Sequence, residues 1–119
     1  MPDLSAVYAE LKSIMLPYAV KLDVKTNTDT ELHVDTRHIQ KNRKVLFFGA
    51  VKVGKRHVSF HLMPVYVDPS LLEGTSKELR KRMQGKSCFN FADIDRPLFD
   101  ELAALTRAGF ARYREQGFV

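Results

Sequence analysis

Leu4, Val7, Tyr8, Leu11, Ile14 and Met15 recur at intervals of three and four, the spacing of one helix face, and Pro17 predicts where that helix ends. Ala19 to Val24 then alternates, which places Val20, Leu22 and Val24 on one side of a strand. Thr30 to Val34 repeats the pattern with Leu32 and Val34, and Thr26-Asn27-Thr28-Asp29 between them is turn chemistry. Lys44 to Val53 and Arg56 to Val65 predict a hairpin joined by Gly54-Lys55, with glycine at the first central position. In its second run Val58, Phe60 and Leu62 face one way, and His57, Ser59, His61 and Met63 the other. The first run is apolar at both alternate sets of positions, which predicts a central strand covered on both faces. Pro64 and Pro69 end the pairing.

Pro69-Ser70-Leu71-Leu72 predicts a short helical turn. Ser76 can cap a helix over Lys77 to Met83, which Gly85 stops. Ser87 to Phe91 has strand character. Asp95 precedes Pro97, and a long helix follows to about Gln116, with Leu98, Leu102, Leu105, Gly109 and Tyr113 on one face and Gly117 as its C-cap. This order predicts an α+β fold: an antiparallel sheet of about five strands with the N- and C-terminal helices packed on one face. No repeat or linker divides the chain, so residues 1–119 read as a single domain.

Hydrophobic residues make up 45% of the chain and charged residues 28%, which excludes wholesale disorder. No apolar run reaches the ~20 residues of a membrane span, and the expectation is a soluble, cytoplasmic protein with no membrane partner. A single cysteine, Cys88, excludes an internal disulfide and a Cys-paired zinc site. Charge changes the picture more. Residues 1–35 carry three basic and six acidic side chains, whereas residues 36–67 carry seven basic ones (Arg37, Lys41, Arg43, Lys44, Lys52, Lys55 and Arg56) and no acid. Such a stretch attracts anions of any kind.

Candidate chemistry is sparse. His57 and His61 share a strand face but lie about 13 Å apart, too far to hold one metal ion together. Cys88 has Lys86 two residues away and His61 as the only obvious base, and a structural thiol is the commoner fate of such a residue. Phosphate-loop, dinucleotide-binding, nucleophile-elbow and His-Glu-x-x-His motifs are absent, which points to binding rather than catalysis. Arg56, His61, Tyr66, Lys86 and Ser87 flank one expected sheet end, where they could line a pocket for a small anion or meet a partner protein. The basic runs Arg37 to Lys44 and Lys77 to Lys86 could track nucleic-acid phosphates while Phe47 and Phe48 stack on bases. The two rings point to opposite faces, however, and only weak, non-specific, salt-sensitive association is expected.

The stretch Phe47-Phe48-Gly49-Ala50-Val51, the following Val58-Ser59-Phe60-His61-Leu62-Met63-Pro64 and the later Gly85-Lys86-Ser87-Cys88-Phe89-Asn90-Phe91 resemble the YdhG-like domain-of-unknown-function family. The resemblance covers nearly the whole chain. It implies a frataxin-like α-β-α sandwich and, as an alternative to a small binding or interaction protein, an intracellular iron-binding chaperone. In the frataxin-like picture iron lies on an acidic ridge along the first helix, where this chain offers Asp3 and Glu10. No other cofactor is implied.

Overall fold

The computed structural model describes residues 3–119. Helix α1 spans Leu4–Ala19, and the Asp3 carboxylate caps it by accepting from the Ala6 amide at 3.2 Å. The helix runs past Pro17 rather than stopping there. Pro17 lies exposed in the last turn, where it forfeits one helical hydrogen bond, and the turn continues through Val20 N–H to Leu16 O and Lys21 N–H to Tyr18 O. The expected strand from Ala19 is therefore corrected. Val20 is 79% exposed and Leu22 buried, so they do not share a face, and strand β1 is Asp23–Asn27.

Strands β2 (Glu31–Ile39), β3 (Val45–Val53) and β4 (Val58–Leu62) follow as a meander. Helical turn α2 is Met63–Val67, a 3₁₀ turn covers Pro69–Gly74, and α3 is Lys77–Arg80, with Ser76 as its N-cap. Strands β5 (Met83–Gln84) and β6 (Cys88–Phe91) lead to α4 (Arg96–Glu115). The fold is α+β. Its antiparallel sheet has six strands in the order β1-β2-β3-β4-β6-β5, against the five or so expected. The extra strand is the two-residue β5, too short to leave an alternation in sequence. The strand expected to reach Val65 stops at Leu62, because Pro64 has no N–H for a ladder and suits the first turn of a helix.

The hairpin reverses one residue later than Gly54-Lys55 predicts. Val53 pairs with Val58, and the Gly54 amide donates to the His57 carbonyl at 2.8 Å, which leaves Lys55 and Arg56 at the tip.

β3 also departs from the expectation of a strand covered on both faces. Gly49 lies opposite Val34 and Phe47 opposite the next residue, Asp35, so Phe48 is an extra residue in β3, a β-bulge. The bulge inverts the alternation. Leu46 and Phe48 before it, and Gly49 and Val51 after it, are all buried, while Phe47 and Ala50 remain half-exposed. Phe48 packs against Tyr18 of α1 and against Phe110 and Tyr113 of α4, so both long helices lie on one face of the sheet. Leu98, Leu102, Leu105, Gly109 and Tyr113 are buried along α4, as their spacing predicts. No helix among the described residues is long and apolar enough to cross a membrane.

Candidate functional site

The face of the sheet turned away from α1 and α4 carries a row of polar and aromatic side chains. Ala50 of β3 lies opposite both His33 of β2 and His61 of β4. Between the imidazoles sits Phe47, with its ring stacked on His33 at 4.8 Å and edge-on to His61 at 5.1 Å. His33 Nε2 donates to the Asp35 carboxylate at 3.0 Å. Ser87 Oγ lies 2.6 Å from His61 Nε2, and Ser87 is only 6% exposed. Burial, aided by the charge of His33, holds His61 below its ordinary pKa. Burial therefore favours the neutral ring, and one hydrogen bond joins its Nε2 to the Ser87 hydroxyl.

Cys88 pairs with His61 across β4 and β6 and is half-buried. Burial pushes its thiol up, against a smaller opposing effect of the Ser59 hydroxyl. Ser59 donates to Asn90 Oδ1 at 3.2 Å, and Asn90 Nδ2 to Gln84 at 2.8 Å, so the polar groups of this face satisfy one another.

The residues expected to line an anion pocket are only partly brought together. His61 and Ser87 touch, and Lys86 is exposed beside Ser87 in the β5–β6 turn. Tyr66 stands 55% exposed on α2, and Arg56 lies at the hairpin tip beyond the other end of β4, on the order of 15 Å from His61. Of the two phenylalanines considered for base stacking, Phe48 belongs to the core and Phe47 is clasped by imidazoles.

The two carboxylates considered for iron are engaged elsewhere. Asp3 caps α1, and Glu10 takes both guanidinium nitrogens of Arg96 at 2.8 and 3.0 Å, which holds its carboxyl below the usual range. They also stand about 10 Å apart along the helix axis. Among the described residues no group of three or more His, Cys, Asp or Glu side chains is placed to hold a metal ion. These residues do not fit an iron site.

The basic stretch builds a different place. Two adjoining clefts of about 400 and 430 Å³ share His38 and Phe118 as lining residues. Lys21 and Arg37 line the first, and Gln40, Lys41 and Asn42 the second. Phe118 reaches them because Gly117 takes φ 79° after α4. The chain then doubles back, so that the Phe118 amide donates to the Tyr113 carbonyl at 2.8 Å. Its ring packs on Tyr113 at 5.4 Å and on His38 at 4.7 Å. On the other wall the Gln40 amide donates to the Lys44 carbonyl and the Lys44 amide to Asn42 Oδ1, which fixes the loop that carries Lys41.

Lys21 Nζ and the Arg114 guanidinium both lie over the Phe110 ring, at 5.8 and 5.1 Å. Among the described residues, none of Lys21, Arg37, Lys41 and Arg114 is in an ion pair. Sequence reasoning found Arg37 and Lys41 through the acid-free stretch. It missed Lys21 and Phe118, which arrive from opposite ends of the chain, and local pattern carries no sign of that meeting. Comparisons with protein-family models, with curated proteins and with solved structures gave no match.

Proposed function

We propose that this chain is a small binding protein whose ligand is an anion, held in the cleft between the β2–β3 loop and the turn after α4. One observation carries the reading: Lys21 and Arg37 line one of the two adjoining clefts and Lys41 the other, and none of the three is in an ion pair among the described residues. Like charges gathered on one concave surface repel each other, and an anion relieves that repulsion while its field lines are focused by the cleft. The site moves from the His61–Ser87 rim to this cleft because Ser87 is buried and already bonded to His61, and Arg56 lies beyond the other end of β4. A non-enzymatic role is supported by Ser87, whose hydroxyl is hidden under its neighbours and bonded to a histidine that, among the described residues, has no hydrogen-bonded carboxylate behind it.

A frataxin-like architecture and membership of the YdhG-like family belong to the same proposal. They are supported by the order helix, antiparallel sheet, helix with both long helices on one face. An iron-chaperone role rests on the resemblance alone, and a cytoplasmic setting on composition.

Calorimetric titration with inorganic phosphate at low ionic strength tests the reading. Saturable binding is expected, weakening steeply as salt is raised. The combined Lys21→Gln, Arg37→Gln, Lys41→Gln variant should bind at least about tenfold more weakly. Absence of saturable binding to the wild-type chain, or equal binding by the variant, overturns it.

A further inference from the structure

The two clefts together are large for an inorganic ion. At about 400 and 430 Å³, each alone falls in the range of pockets that hold organic ligands. Their chemistry is also divided. Lys21 and Arg37 supply positive charge to the first, whereas the second opens on two amides, Gln40 and Asn42, beside Lys41. Between them the Phe118 ring lines both, steadied edge-on by Tyr113 and covered in part by His38.

The amides are half-used. Asn42 receives the Lys44 amide on Oδ1, and Gln40 Nε2 reaches the carbonyls of Lys44 and Val45 only at 3.5 Å each. Asn42 Nδ2 and Gln40 Oε1 take part in no hydrogen bond among the described residues. A donor and an acceptor without partners thus belong to residues that line one cleft with the Phe118 ring, and Phe118 also lines the adjoining cleft of Lys21 and Arg37. A planar heterocycle displays that complement on its edge, and every such ring has a face that stacks on phenylalanine.

We propose that the anion of this cleft is an organic phosphate with a planar heteroaromatic ring, of the nucleoside monophosphate class. Its phosphate meets Lys21 and Arg37, its ring lies against Phe118, and its ring edge meets Gln40 and Asn42. The arginine fork suits a phosphate in two-point contact, and the lysine adds a second charge. The inference rests on the anion-binding reading above.

Three probes separate the two in calorimetry at low ionic strength: inorganic phosphate, adenosine 5′-monophosphate and adenosine. The nucleotide is expected to bind at least about tenfold more tightly than phosphate, with no measurable binding of the nucleoside. Phe118→Leu, which keeps an apolar wall and removes the ring, should bring nucleotide affinity down to that of phosphate and leave phosphate itself unchanged. A second variant, Gln40→Ala, serves if Phe118→Leu unfolds, and should weaken the nucleotide alone. If phosphate binds and the nucleotide binds no more tightly, the ring-binding inference fails and the anion reading stands. If neither binds, both fail. A dinucleotide or longer oligonucleotide should bind no more tightly than the mononucleotide. Affinity that climbs with length would overturn the inference in favour of a nucleic-acid surface.

Discussion

The Tyr113 hydroxyl of α4 donates to the carbonyl of Phe47 at 3.1 Å, so the last turns of the long helix are tied to the bulge in the central strand. A bulge breaks the ladder and leaves backbone groups in want of partners. Here a fully buried phenol supplies one, and a buried threonine another: Thr36 Oγ1 donates to the Leu46 carbonyl at 2.8 Å. The bulge also sends Phe48 inward while Phe47 stays on the open face. Core and open face therefore depend on the same irregularity.

Tyr113→Phe should keep the edge-on packing against Phe48 and Phe118 and leave the Phe47 carbonyl without its donor. A buried acceptor left unpaired costs about 1–3 kcal/mol. Denaturant unfolding is expected to show a loss in that range with an unchanged slope. A neutral result would mean that water reaches the bulge and that the tie to α4 does not stabilise it.

Gly49 is required by close approach, not by dihedral angle. A Cβ there would come within 2.5 Å of Met15 Cε and 2.7 Å of the His61 carbonyl oxygen. The methionine end can move, but the β4 backbone is held by pairing on both sides. Gly49→Ala is expected to destabilise by about 1–3 kcal/mol, and adding Met15→Ala should not restore the loss, since the carbonyl clash remains. Full rescue by the second substitution would show that the helix side chain, not the strand, sets the limit.

Where side chains alternate regularly the fold is legible: β4 buries Val58, Phe60 and Leu62 as its spacing demands, and α4 runs from the Asp95 cap to the turn at Gly117. Where backbone hydrogen bonding overrides alternation it is not. The Phe47-Phe48 pair reads as a strand apolar on two sides, and only the register against Val34 and Asp35 reveals the extra residue. Pro64 within an apolar run reads as the end of pairing, yet not as the start of a helix. The cleft proposed for an anion was half legible, since charge counting marks Arg37 and Lys41 but cannot bring Lys21 and Phe118 to the same place.

Acid should weaken this protein through His61. Burial holds its folded pKa below the ordinary 6.5, so the unfolded chain takes up that proton first as pH falls. The stability that comes from keeping the ring neutral is fully present above about pH 6.5 and is lost as pH falls through the folded value. Melting temperatures followed between about pH 7 and 5 should fall for the wild type, and less steeply for His61→Gln. Equal slopes in the two chains would place the acid sensitivity elsewhere.

The thiol of Cys88 should be sluggish in the folded chain. Its half-buried place opposite His61 disfavours the thiolate, the form that attacks electrophiles. Alkylation by iodoacetamide near neutral pH is expected to run at least about tenfold slower than that of a small free thiol, and to recover in denaturant. Cys88→Ser should then leave anion affinity and melting behaviour close to those of the parent chain, because the thiol's hydrogen bond to Asn90 is a long one of 3.7 Å. Fast labelling of the folded chain would show a thiolate that this environment does not account for. It would bring His61 and Cys88 back as a reactive pair and count against a purely binding role.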